Sequence, residues 1–130
     1  MASERDHEPE PKNFEPKSPV SLAPPKDDPI PLSHLSKCDG TSSEYPTYVA
    51  IKGKVFDVSG NSTYAPGAAY HVFAGKDASR ALAQSSLKPE DARPDWEDLP
   101  DKEKGVLNDW FTFFSKRYNI VGVVQGASNL

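Results

Sequence analysis

A chain of 130 residues with a net charge of −4 and 36% hydrophobic residues holds one modest domain, and the folded part is shorter than the chain. Its bases are scattered and its sharpest charge cluster, Glu90 to Glu103, is acidic, so no nucleic-acid surface is expected. The lone Cys38 excludes an intramolecular disulfide and a thiolate metal centre, and with no signal-peptide core and no run of about 18 apolar residues the chain is expected to be cytoplasmic without a membrane span.

Residues 1–29 read as a disordered Pro-rich acidic tail. Eight of the 13 prolines fall between Pro9 and Pro31 and Phe14 is the one aromatic there, too little apolar surface to offset the entropy of ordering. A folded domain is expected over 30–125, where both tryptophans and all five tyrosines lie, with 126–130 as a flexible end. SHLSKCDG begins a short helical pattern at Ser33, anchored by Leu32 and Leu35 and stopped at Gly40. YVAI and KVFDV then flank Lys52-Gly53, a two-residue hairpin signal. Pairing Ile51 with Lys54 puts Val49, Ile51, Phe56 and Val58 on the face expected to be core. Tyr48, Ala50, Val55 and Asp57 take the other face.

The turn-rich SGNST leads into TYAPGAAYHVFAGKDAS, which sets Tyr64 and Tyr70 around Pro66-Gly67. DASRALAQSSL reads as a helix with Asp77 or Ser79 as cap and Ala78, Ala81 and Leu82 to bury. A more amphipathic helix follows Pro100: acids come first, bases last, and Val106, Leu107, Trp110, Phe113 and Phe114 recur at spacings of three and four. NIVGVV closes the domain as a strand, making an α+β fold. With no Ser/His/Asp set, paired carboxylates or phosphate loop, the chain is not expected to be an enzyme.

The ordered blocks YVAIKGKVFDVS, YAPGAAYHVFAGKDASRALA, DW and KRYNIVG resemble the membrane-associated progesterone receptor family, a branch of the cytochrome b5-like haem and steroid-binding domains. The resemblance covers roughly residues 30 to 125. It implies a cytochrome b5-like fold, a small sheet with helices around a ligand cleft. Ordinary cytochrome b5 grips iron with two histidines, one in a His-Pro-Gly-Gly turn. Here that turn is Ala65-Pro66-Gly67-Ala68, and no histidine follows His71.

In this branch the resemblance implies that Tyr70 ligates the iron as a phenolate, a hard anionic donor suited to the ferric state. Tyr64 falls on the family position that donates a hydrogen bond to that ligand. Arg117 matches a family lysine beside Tyr118, and with Lys116 these residues are expected at the haem propionates or edge. The implied cofactor is five-coordinate ferric haem b. The implied role is haem storage or delivery, or support of haem-thiolate monooxygenases in sterol metabolism, and a haem-dependent homodimer is compatible with it. A haem-free protein of the same fold, binding a sterol-like ligand or acting as an adaptor, is the alternative.

Overall fold

The computed structural model describes Leu22 and residues 24–129, so the expectation of a disordered tail falls largely on residues outside the described set. Four strands, β1 (Pro29–Ile30), β2 (Tyr48–Ile51), β3 (Lys54–Asp57) and β4 (Asn119–Val124), form one sheet in the order β1-β4-β3-β2. Among the described residues three α-helices accompany it: α1 (Leu32–Leu35), α2 (Ser79–Gln84) and α3 (Asp101–Arg117). Among the described residues no helix is long and apolar enough to cross a membrane.

The β2–β3 hairpin has the register its sequence implied, Ile51 opposite Lys54. Its turn puts Lys52 and Gly53 at φ 52° and 79°, the left-handed pair that matches the twist of the flanking strands. The Lys52 ammonium is held over the Trp96 ring at 4.8 Å and donates to Asn108 Oδ1 at 3.0 Å.

The expected core face packs as expected: Val49, Ile51, Phe56 and Val58 lie in one buried cluster with Leu107, Trp110, Phe113 and Phe114 of α3. Ala50 and Val55 on the opposite face are also buried, which the alternation did not show. Ala50 and Val55 meet Ile30, Leu35 and Val124 in a second cluster, supplied by β1, α1 and the end of β4. Of the two expected anchors of α1, Leu35 is fully buried and Leu32 stays 63% exposed.

No local pattern announces β1, a parallel partner of β4. It is introduced by backbone bonds from Lys26 N to Ile120 O (3.0 Å) and from Val123 N to Asp28 O (2.8 Å). Gly122 makes room for this strand, since a Cβ there would stand 2.5 Å from Asp28 O and 2.6 Å from Ile30 Cδ1.

Asn129, within the 126–130 end expected to be flexible, is hydrogen-bonded to the body of the domain. Its amide donates to Asp77 Oδ2 (2.9 Å) and Pro94 O (3.0 Å), and its carbonyl accepts from Trp96 Nε1 (3.0 Å). Within the acidic stretch 90–103, Asp95 (3.3 Å) and Asp98 (2.8 Å) pair with Arg80 of α2.

Candidate functional site

The segment after β3 makes two one-turn 3₁₀ helices, Ser62–Tyr64 and His71–Phe73, and these aim the two tyrosines inward. The first turn starts where Asn61 Oδ1 accepts from Thr63 N at 3.0 Å. Tyr70 N donates to Thr63 O at 3.1 Å, which closes the intervening loop and brings the phenols side by side. Their ring centroids are 5.9 Å apart.

Both tyrosines sit in an aromatic cluster built by α3. Tyr70 packs on Phe73 (5.3 Å) and edge-on to Trp110 (6.3 Å); Tyr64 meets Phe114 (6.2 Å), which in turn contacts Tyr118 (5.1 Å). Tyr64 is 1% exposed and Tyr70 7%. Burial, then the nearby Tyr118 and Tyr70 phenols, push the Tyr64 hydroxyl well above the usual tyrosine range, so it keeps its proton. Tyr118 is also raised, mainly by burial, although its oxygen accepts from Asn61 Nδ2 at 2.7 Å.

The expected residues at the end of α3 divide. Arg117 lies over the Phe113 ring at 4.2 Å and lines an open cleft of ≈640 Å³ with Tyr118, Asn61, Asp57 and Leu22. Lys116 is exposed and does not line that cleft. Sequence reasoning missed Asn61, which joins the tyrosine turn to Tyr118; the visible signal was an Asn immediately before a turn. It also gave Asp77 only as a helix cap. Asp77 is buried and accepts from Gly53 N (3.0 Å), Ser79 N (3.1 Å), Ser79 Oγ (2.5 Å) and Asn129 Nδ2 (2.9 Å), tying the hairpin, α2 and the C-terminal turn together.

A second groove, of ≈390 Å³, runs between α1 and the C-terminal turn. Its walls include Leu32, Ala92, Pro94, Val124 and Ala127, and Lys76, Asp77 and Arg93 also line it. It shares no lining residue with the Tyr118 cleft.

A ferric porphyrin needs a flat apolar wall, an axial donor and cations for its carboxylates. Phe73 and Trp110 are the buried apolar rings beside Tyr70, Arg117 lies at the end of α3 in the cleft lining, and Lys116 next to it is exposed outside that lining. The donors in the cluster are phenols. His71 Nε2 is bonded to the Asp39 carbonyl at 2.8 Å, and because a carbonyl only accepts, that nitrogen carries the proton. His34 lies on α1, against Cys38 Sγ (3.8 Å) and the Tyr45 ring (5.8 Å). Among the described residues no group of three or more His, Cys, Asp or Glu can hold a metal ion. The donor set therefore fits a haem held by one phenolate, provided the Tyr70 oxygen turns out of its aromatic packing.

Residues 32–122 match the family described as Cytochrome b5-like Heme/Steroid binding domain. Probable steroid-binding protein 3 of Arabidopsis thaliana is 53% identical over 91 residues, covering 69% of this chain and 91% of that protein. Membrane steroid-binding protein 2 of Oryza sativa subsp. japonica is 43% identical over 97 residues, 74% of this chain but only 37% of the relative. A cytochrome P-450 regulator of Schizosaccharomyces pombe is 40% identical over 98 residues, 69% of this chain and 58% of that protein. Among solved structures, an Arabidopsis thaliana protein described as having a cytochrome b5-like fold superposes with a TM-score of 0.68 at 44% identity, over 78% of this chain and 92% of that one. Family match, relatives and fold agree, and the chain belongs to the cytochrome b5-like haem/steroid-binding family, in its membrane-associated progesterone receptor branch.

Proposed function

We propose that the domain binds ferric haem b through a single axial phenolate, Tyr70, and acts without catalysis in haem storage or delivery or in support of haem-thiolate monooxygenases of sterol metabolism. The observation that carries this reading is the Tyr64–Tyr70 ring pair inside an aromatic cluster whose neighbouring histidine, His71, is committed to a backbone carbonyl. Bound haem supplies a ferric centre that stabilises one hard anionic donor.

The chain's own residues do the rest. Tyr70 presents the oxygen. Tyr64, which keeps its proton, is the O–H that can donate to a phenolate beside it. Phe73 and Trp110 keep water from the ligand, and Arg117, Lys116 and Tyr118 stand at the end of α3 to meet carboxylates. The monooxygenase link is supported by the yeast relative's name, and the protein would meet such partners from the cytoplasm.

Hemin titration of the full chain, followed at the Soret band, tests this reading. The expected result is a high-spin ferric spectrum that is lost in Tyr70→Phe while the circular dichroism is unchanged. Tyr64→Phe is expected to weaken binding about 10- to 100-fold, and His71→Ala to leave it intact. A low-spin bis-histidine spectrum, or wild-type affinity in Tyr70→Phe, overturns the assignment.

Steroid binding, which the names of several relatives carry, is a second reading for this chain. The groove beside α1 favours it: it is lined mainly by apolar atoms, and ≈390 Å³ lies within the ~300–1,000 Å³ range of small-molecule sites.

A further inference from the structure

We infer that the groove between α1 and the C-terminal turn is the seat of a steroid bearing an anionic or hydrogen-bond-accepting group at one end, separate from the tyrosine cluster. This rests on the steroid reading above and adds where the ligand sits and which end of it the protein recognises. The lining of the groove carries the inference.

Leu32 is 63% exposed on its rim although the helix that bears it is anchored by Leu35, so the side chain is spare for a ligand. Ala92 and Val124 are buried beneath it and give a smooth apolar floor. Lys76 and Arg93, both exposed, also line the groove and put positive charge at its mouth. Arg93 keeps a neighbour, Asp95, at 3.2 Å. The acid in the lining, Asp77, is buried and has four donors on its two oxygens, so those oxygens are engaged by the fold.

The floor is rigid for the same reason. Asn129, part of the groove's lining, is held by Asp77 and by Pro94 O, so the walls are set before a ligand arrives. A flat, inflexible ring system loses little freedom in such a slot. None of Tyr64, Tyr70 and Tyr118 lines it, so haem and steroid need not compete.

Amide NMR titration of the full ¹⁵N-labelled chain with progesterone and with dehydroepiandrosterone sulfate tests the site. Both probes are expected to shift Gly75, Gly126, Ala127 and Ser128. The sulfate should bind about 3- to 10-fold more tightly, an advantage lost when Lys76 and Arg93 are both changed to Ala. Leu32→Glu, at an exposed position that does not endanger folding, should weaken progesterone at least about tenfold. Tyr70→Phe should change neither probe. Shifts centred on Tyr64, Tyr70 and Phe114 overturn the location while keeping the steroid reading; no shifts with either probe overturn both. Equal binding by Leu32→Glu and wild type also overturns the site.

Discussion

Tyr64 and Tyr70 carry the same side chain and differ in what surrounds it. Tyr64 is sealed between Tyr70 and Phe114, and the cost of placing an anion there raises its pKa. A phenol whose folded pKa lies above its unfolded value near ~10 keeps its proton in the native state while the unfolded chain loses it. Stability is therefore fully present below pH ~10 and falls as pH rises beyond it, by up to about 1.4 kcal/mol per pH unit for each such group. Tyr48 and Tyr118 are raised as well and add to the slope. Urea unfolding at about pH 8 and pH 11 should show this loss, and Tyr64→Phe should reduce it without abolishing it. An unchanged slope would mean that the Tyr64 hydroxyl reaches water.

At the scale of elements, Asp77 does more than start α2. It accepts from the hairpin turn, from the first turn of α2 and from the C-terminal turn, so its removal leaves buried donors on three elements at once. Asp77→Ala should cost roughly 3–5 kcal/mol, read from the shift of the urea midpoint. Asp77→Asn keeps the shape but presents an amide to N–H donors, and should recover only part of that loss. The close approach of β1 to β4 makes a separate prediction. Gly122→Ala pushes a methyl into Asp28 O and Ile30, with an expected loss of about 1–3 kcal/mol, whereas Gly105→Ala, with open space around it in α3, should be neutral or stabilising.

For the whole molecule, the sheet divides two cores with separate surroundings: α3 and the tyrosine turn cover one face, and β1, α1 and the end of β4 cover the other. Deleting residues 1–21 should leave both the melting temperature and haem affinity unchanged. Extending the deletion through Asp28 removes the backbone acceptor and donor that β4 uses and should lower the melting temperature by several degrees. Deleting 126–130 should also destabilise, because it strips Asn129 from Asp77 and Pro94. Equal melting curves for the two N-terminal deletions would show that the chain before β1 contributes nothing to the fold.

What the sequence determined by itself is what short-range pattern encodes. Alternation and a Lys-Gly turn specify the β2–β3 register, and apolar residues at spacings of three and four specify α3 and its buried face. The family blocks named the tyrosines, and their nearness follows from a turn of few residues. Other features depend on partners distant in the chain. Nothing in Pro29-Ile30 shows that β4 lies beside it, and nothing in Ala50 or Val55 shows that α1 and β1 bury their face. Asn129 reads as a loose end until the fold brings Asp77 to it from 52 positions away. The groove beside α1 exists only where four separated segments meet, so no local pattern announces it. Local periodicity is written along the chain, whereas burial of a second face, a buried carboxylate's donors and the walls of a cavity are settled by which distant segments the tertiary structure puts together.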